Sequence, residues 1–267
     1  WVFRRTRTRW LRRRREGMRS KISQNVLDSV RHRHEKRKTA GAKGARGVIG
    51  QTHCGCYNAD TRMRNPQISS LEAGWTLPEL FARAGVCASD GTEVPNVRIT
   101  SLVDDSRSAH PGACFVAVRG VGRDGHDFVP AAVVSGAAAI VVDRDGPAPS
   151  GVAVVRVADT RIALAKLAPA FYGLFGGGEP RLRIIGVTGT NGKTTVVWLL
   201  RSILQAAHHC TAMLGTVEYD LVCERRLSPL TTPGSIELCR NLATARDAGA
   251  THAVLEVSSH ALDQRRC

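Results

Sequence analysis

The chain has 267 residues and a formal net charge of +15. Residues 1–46 hold 17 of the 38 Lys and Arg against three acids, Glu16, Asp28 and Glu35, so they carry +14; the other 221 residues hold 21 basic and 20 acidic side chains and carry +1. A globally basic, nucleic-acid-binding body is thereby excluded.

The chain opens on the basic run itself, with Arg4, Arg5, Arg7, Arg9 and Arg12 to Arg15. So many like charges with so little to bury cannot offset the entropy of ordering, and residues 1–70 read as a basic, disordered extension. Three readings are open for it: an arm for nucleic acid or an anionic surface, an Arg-rich and acid-poor transit peptide, or no biological element at all, being upstream read-through or a fragment boundary. The third fits best, because the chain begins at Trp1 and carries internal Met18 and Met63. Eight cysteines are scattered along the chain, and only Cys54 and Cys56 are close-spaced, without a second pair to complete a zinc site. Free thiols in a reducing cytoplasm are expected. No apolar run approaches the roughly 18–20 residues of a membrane helix. The longest, 131–142, is broken by Ser135 and Gly136, and no signal-peptide pattern is present.

Regular patterning begins near Leu71. A short helix starts at Leu77 and ends near Gly85; Val97 to Val103 reads as one strand and Cys114 to Val118 as the next, with a turn at His110-Pro-Gly between them. Asp127 to Ser135 reads as a helix closed by Gly136, Ala138 to Val142 and Val152 to Val157 as strands, and Asp159 as the N-cap of a helix reaching Tyr172. Strands alternating with helices predict a three-layer α/β domain over 71–178, closed by a glycine-rich boundary at 173–180.

A second α/β unit, 179–267, follows. Leu182 to Val187 reads as a buried strand, Lys193 to about Ala207 as a helix, and Thr211 to Leu214 as a strand. Ser235 to Ala248 is helical by its apolar positions Ile236, Cys239, Leu242 and Ala243, and His252 to Val257 is a third strand. Three strands do not complete a doubly wound sheet of about five or six, so this P-loop-type, parallel-sheet domain reads as incomplete.

The strongest local signal lies between the strand and helix of that unit: Gly186-Val-Thr-Gly189-Thr190-Asn191-Gly192-Lys193-Thr194-Thr195. Glycines let backbone N–H groups turn inward on an anion, and the helix N-terminus adds about half a positive charge. Lys193 can reach the β and γ phosphates of ATP, and the Thr194 hydroxyl can bind Mg²⁺. The common phosphate-loop pattern wants glycine where Val187 stands, so the strict motif fails while its strand–loop–helix setting is right. Glu256, at the carboxyl end of the third strand, is placed to hold the same Mg²⁺. Ser258, Ser259 and His260 are sequence neighbours with no orienting acid, which speaks against a nucleophilic triad.

Read together, these segments resemble the Mur ligase family, most closely its tripeptide-forming, MurE type. Gly189 to Thr195, Thr231-Thr-Pro233 and Glu256-Val-Ser-Ser-His-Ala-Leu262 are similar to its central-domain signatures; Asp105-Ser-Arg107, Pro111-Gly112, Phe115-Val-Ala117, Gly120 and Asp124-Gly-His-Asp-Phe128 are similar to its uridine-nucleotide domain. The resemblance implies ATP-dependent amide ligation through an acyl phosphate, acting on a UDP-N-acetylmuramoyl-dipeptide and an amino acid, with no membrane or nucleic-acid partner and a monomeric state assumed. It assigns Ser106, Val121, Gly122 and Arg123 to the uridine nucleotide, and Thr231, Thr232, Ser258, Gln264 and Arg266 to the muramoyl-peptide portion. Arg266 also makes sense alone, since a guanidinium fork suits a carboxylate or diphosphate. A dipeptide-adding relative and a nucleic-acid-binding NTPase are the competing readings. The family's second-metal lysine and histidine and its amino-acid-binding domain have no counterpart before Cys267, so the chain is expected to bind nucleotide weakly and ligate nothing.

Overall fold

The computed structural model describes residues 74–89, 91, 93–120, 122–146, 150–174 and 182–267. The basic extension to residue 70, Cys54, Cys56 and most of the glycine-rich boundary lie outside the described residues, as does Val121.

Helix α1 (Leu77–Ala84) begins with Thr76 and Glu79 in a reciprocal capping box and ends at Gly85, whose φ of 60° is the left-handed turn that glycine permits. Strand β1 (Trp75–Thr76) pairs antiparallel with β2 (Arg98–Ile99). The single strand expected from Val97 to Val103 is therefore broken: after Thr100 the chain continues as β3 (Ser101–Val103) in another sheet. That sheet is wholly parallel, in the order β3, β4 (Ala113–Val116), β5 (Ala139–Val142), β6 (Ala153–Arg156). The turn at His110 to Gly112 thus returns the chain to begin a parallel strand and is no hairpin.

Period-two alternation divides the sheet's side chains between two layers. Leu102, Cys114, Val116, Ala139, Val141 and Val155 face α1 and α3 (Thr160–Phe171). Val103, Ala113, Phe115 and Ile140 face the opposite side, where α2 (Val129–Val134) packs through Ala132. The expected helix from Asp127 begins as a 3₁₀ turn, Gly125–Phe128, capped by Asp124. Asp159 caps α3 by accepting from the N–H groups of Arg161 and Ile162, both at 2.8 Å.

The second sheet has five strands, in the order β10 (Arg225–Leu227), β9 (Glu218–Asp220), β8 (Thr211–Leu214), β11 (His252–Glu256), β7 (Arg183–Val187). The three expected strands are its parallel part; β9 and β10 add an antiparallel hairpin that sequence patterning did not reveal. Arg226 and Leu227 are exposed, and the turn is held by the buried Asp220, which pairs with Arg201 and Arg225 and accepts from the N–H of Val222. These are long-range contacts with no local period to betray them.

Strand β7 corrects a second expectation. Among the described residues it is paired on one side only, and Arg183, Ile184 and Gly186 are exposed, so it is not the buried strand its apolar run suggested.

Helix α4 (Lys193–Ala206) covers one face of this sheet through Val197, and α5 (Ser235–Asp247) covers the other through Leu238, Leu242 and Ala245. A second stripe of α5, Ile236, Cys239 and Ala243, joins the core of the first sheet. Arg240 and Arg246 reinforce this junction by donating to the Tyr172 hydroxyl (3.2 Å) and the Gly173 carbonyl (2.7 Å). The four positions that suggested α5 are all buried.

Burial pushes the thiols of Cys114 and Cys239 up to about 12, which keeps them protonated and unreactive. No helix among the described residues is long and apolar enough to cross a membrane.

His252 is buried, with its ring centroid 4.3 Å from that of His209. Burial, then the nearby His209 and Arg183, hold its imidazole below the ordinary 6.5. The folded state therefore favours neutral His252. Stability should be intact above pH 6.5 and fall as the pH drops below it, by at most about 1.4 kcal/mol per pH unit for one group. Thermal unfolding at pH 8, 6.5 and 5.5 should show a loss that shrinks in His252→Gln; equal losses in both proteins would refute it.

Candidate functional site

Strand β7 delivers the chain to an exposed loop, Thr188 to Gly192, before α4 begins. Gly189 (φ 147°) and Gly192 (φ 80°) adopt backbone conformations that other residues rarely tolerate. Gly192 is the N-cap of α4 and supplies no side-chain cap, so the first N–H groups of a 14-residue helix are left for another acceptor. The Lys193 ammonium is folded over the loop and donates to the Gly189 carbonyl at 2.8 Å. Gly189, Thr190, Asn191, Gly192, Lys193, Thr194 and Thr195 thus form one loop and helix start, with the Lys193 ammonium folded back onto the Gly189 carbonyl.

Glu256 ends the central strand β11 and is 1% exposed. Its carboxylate accepts from the Thr194 hydroxyl (3.0 Å), the Thr216 N–H (2.9 Å) and the Thr216 hydroxyl (3.1 Å). Among the described residues no basic side chain forms an ion pair with it. A buried carboxylate held only by neutral donors beside a phosphate-type loop fits a hard cation: a carboxylate and a hydroxyl are oxygen ligands of the kind Mg²⁺ prefers, with phosphate and water completing the shell. Gly215 makes this approach possible, since a Cβ there would lie 2.5 Å from Glu256 Oε1.

Thr231, Thr232 and Ser258 gather at the same strand end. The Thr216 hydroxyl, its proton committed to Glu256, accepts from the Thr231 hydroxyl (3.1 Å), while Thr232 Oγ1 donates to the Glu256 carbonyl (2.9 Å) and accepts from the Ser258 N–H (3.0 Å). Ser258 Oγ caps α6 (Ser259–Asp263) by accepting from the Ala261 N–H. Thr232 and Ser258 therefore brace the strand end.

Helix α6 closes with paired bonds from the Arg265 N–H to the Leu262 carbonyl and from the Arg266 N–H to the Ala261 carbonyl, a Schellman motif. Arg265 occupies its left-handed position at φ 51° without being glycine, at a cost of about 1–2 kcal/mol. That turn sends Gln264 and Arg266 into a cavity of about 220 Å³ between the two sheets. Its other walls include Asp104, Arg119, Arg161, Gly234 and Ser235. Helix α5 starts there with Gly234 as a cap that lacks a side chain.

Ser106, Gly122 and Arg123 do not line this cavity. Ser106 sits in a 3₁₀ turn after β3, capped by Asp105. Gly122 and Arg123 lie in a tight loop after β4, closed by the Gly120 N–H to Arg123 carbonyl bond (2.8 Å). His126, tied to Asp124 at 2.6 Å and Asp143 at 3.3 Å, anchors the loop. Both segments follow the carboxyl ends of neighbouring parallel strands, where open α/β sheets bind ligands.

Sequence reasoning missed Asp104, Arg119, Arg161, Gly215 and Thr216. Crowding in the cleft raises the Asp104 carboxyl above its ordinary value; Asp105 adds to the effect and Arg266 opposes it. Arg161 did carry one signal. A cation in the first turn of a helix opposes the macrodipole, a placement that needs another reason.

Two family models match the chain: "Mur ligase family, catalytic domain" over residues 98–172 and "Mur ligase middle domain" over 187–267. A UDP-N-acetylmuramoyl-L-alanyl-D-glutamate--2,6-diaminopimelate ligase of Geobacter sulfurreducens is 43% identical over 168 residues, covering 63% of this chain and 32% of that protein. A UDP-N-acetylmuramyl-tripeptide synthetase of Roseiflexus sp. is 44% identical over 176 residues, 64% of this chain and 33% of that protein. A solved UDP-N-acetylmuramoyl-L-alanyl-D-glutamate--2,6-diaminopimelate ligase structure aligns with TM-score 0.57 and 26% identity over 72% of this chain and 38% of that one. The chain spans about a third of the length of these curated relatives.

Proposed function

We propose that this chain, which belongs to the Mur ligase family, carries the nucleotide-sugar-binding region and part of the ATP-binding region of a tripeptide-forming, MurE-type amide ligase. The substrates would be ATP, UDP-N-acetylmuramoyl-L-alanyl-D-glutamate and the amino acid that becomes the third residue; a cytoplasmic location goes with that reading. The observation that carries it is the Thr194 hydroxyl bonded to Glu256 across 62 residues, which joins the glycine loop to a buried carboxylate at the strand end.

In the reaction, the dipeptide's carboxylate would take the γ-phosphoryl group, the incoming amine would attack the acyl phosphate, and phosphate would leave. Such phosphoryl transfer needs charge neutralisation and positioning more than covalent help. Lys193 would exchange the Gly189 carbonyl for phosphate oxygens, and the N–H groups of Gly189 to Thr195 would cradle them. Thr194 and Glu256 would hold Mg²⁺, which when bound supplies further positive charge at the phosphates. Thr231, Thr232, Ser258, Gln264 and Arg266 would serve the muramoyl-peptide portion, and Ser106, Val121, Gly122 and Arg123 the uridine nucleotide.

Calorimetric titration of the purified chain with ATP, with and without Mg²⁺, and separately with UDP-N-acetylmuramoyl-L-alanyl-D-glutamate tests this. Two independent binding events are expected, the first enhanced by Mg²⁺. Binding of neither ligand would overturn the reading. So would exclusive binding of single-stranded DNA with a steep salt dependence lost on deleting residues 1–46.

A further inference from the structure

The geometry points to Arg161 as a second anion-binding residue of this chain, acting with Arg266, at the edge of the muramoyl-peptide portion, as a clamp for the diphosphate that joins that portion to the uridine of the nucleotide sugar. It deepens the reading above and rests on it for the identity of the nucleotide.

Four charged side chains line the 220 Å³ cavity: Asp104, Arg119, Arg161 and Arg266. Arg119 is already compensated, by Asp143 at 3.2 Å and Asp124 at 3.9 Å. Among the described residues neither Arg161 nor Arg266 forms an ion pair with a carboxylate, although Arg266 feels Asp104 at longer range. With Arg119 set aside, Arg161 and Arg266 face the single acid Asp104, so the wall keeps a net positive charge of one, carried by guanidinium groups in the first turn of α3 and just after α6. Two guanidinium groups facing one cleft repel each other unless an anion lies between them.

The placement of Arg161 is held from behind. Its N–H is bound by Asp159, and the preceding Thr160 donates its N–H and hydroxyl to Asp143 at 3.3 and 3.1 Å. Its guanidinium donates to the Arg119 carbonyl, a neutral acceptor, which orients the group and leaves most of its five donors unused. This fixes a cation at the start of α3 against the helix dipole. A planar fork held in that way suits bidentate recognition of phosphate oxygens.

The cavity is smaller than the roughly 300–1,000 Å³ of a whole small-molecule site, so it fits a portion of a ligand. It is also separate from the glycine loop, because no residue from Gly189 to Thr195 lines it. The phosphates of ATP have their own cradle, and this second cationic cleft calls for a second polyanion. A diphosphate presents adjacent charged groups to two separated guanidinium forks, which a single carboxylate cannot.

The test titrates UDP-N-acetylmuramoyl-L-alanyl-D-glutamate, UDP, uridine and inorganic pyrophosphate into the full chain and its Arg161→Gln and Arg161→Lys variants, with excess Mg·ADP present. Arg161→Gln should weaken UDP and the nucleotide sugar by about ten- to a hundredfold, leave uridine unchanged, and leave Mg·ADP affinity and the unfolding temperature in place. Arg161→Lys should fall between, keeping charge without the fork. Equal nucleotide-sugar affinity in wild type and Arg161→Gln overturns the clamp while the ligase reading stands. Loss of Mg·ADP binding alongside UDP, with a lowered unfolding temperature, also overturns it, because the residue is then only structural. If the wild type binds pyrophosphate through Arg161 but no uridine nucleotide, the clamp stands and the ligase reading fails; if it binds neither, both fail.

Discussion

Changing Glu256 to glutamine should remove most of the Mg²⁺ dependence of ATP binding while the chain still folds. The glutamine amide keeps the volume of a residue that is 1% exposed, and its carbonyl can still accept from the Thr216 N–H. The amide nitrogen would face the Thr194 and Thr216 hydroxyls, which can rotate to accept. Exchanging charge-assisted bonds for neutral ones costs about 1–3 kcal/mol of stability. The functional loss is larger in kind, because glutamine withdraws the single negative charge that the strand end offers a cation. An effect of about 10- to 100-fold on the ratio of ATP affinities with and without Mg²⁺ corresponds to the 1.5–3 kcal/mol of a charged contact. Titrations in Mg²⁺ and in EDTA measure that ratio, and an unchanged value would remove Glu256 from the cation site.

Replacing Lys193 with alanine should have the opposite balance, with a large loss of binding and almost none of stability. In the free chain the ammonium makes one partly exposed bond, to the Gly189 carbonyl, so its removal should shift stability by no more than about 0.5 kcal/mol. Lys193 is the sole basic residue between Gly186 and Thr195. Without it the loop offers backbone dipoles and no charge, and ATP affinity should fall by at least about tenfold, with adenosine affinity unaffected. Equal losses for adenosine and ATP would mean that the variant disturbed the loop and that Lys193 does not contact phosphate.

The two substitutions separate what each element of the site contributes. The glycine loop is exposed, and the role proposed for it lies in charge and backbone direction, so a substitution there is expected to remove binding without removing structure. Glu256 is buried and braced, with Gly215 leaving room for its carboxylate and Thr216 donating twice to it. Its chemistry cannot be altered without some cost to the fold.

Much of this was legible from residue order because it is encoded locally. The caps at Asp159 and Gly85, the alternating faces of β4 and β5, the stripe on α5 and the glycine loop all lie within a few residues of what defines them. Short-range periodicity and turn chemistry suffice for such elements. The broken strand at Thr100 and the exposure of β7 were not legible, because both depend on which strand comes alongside. The β9–β10 hairpin depends on Asp220 meeting Arg201 across 19 residues, a pairing that leaves no trace in a local pattern.

The sequence by itself determined the family resemblance, the α/β architecture, the phosphate loop with Lys193 and Thr194, the candidate cation ligand Glu256, and the fact that the net charge of +15 resides almost wholly in residues 1–46. Only the tertiary structure decided which of the remaining positive charges gather in one place. Arg119, Arg161 and Arg266 stand far apart in the chain and share one cleft because α5 packs into both cores and the turn at Arg265 folds Arg266 back toward α3. The physical reason is range: a cap or a loop acts over one helical turn, whereas an electrostatic site is a sum over whatever the packing of two sheets brings within reach.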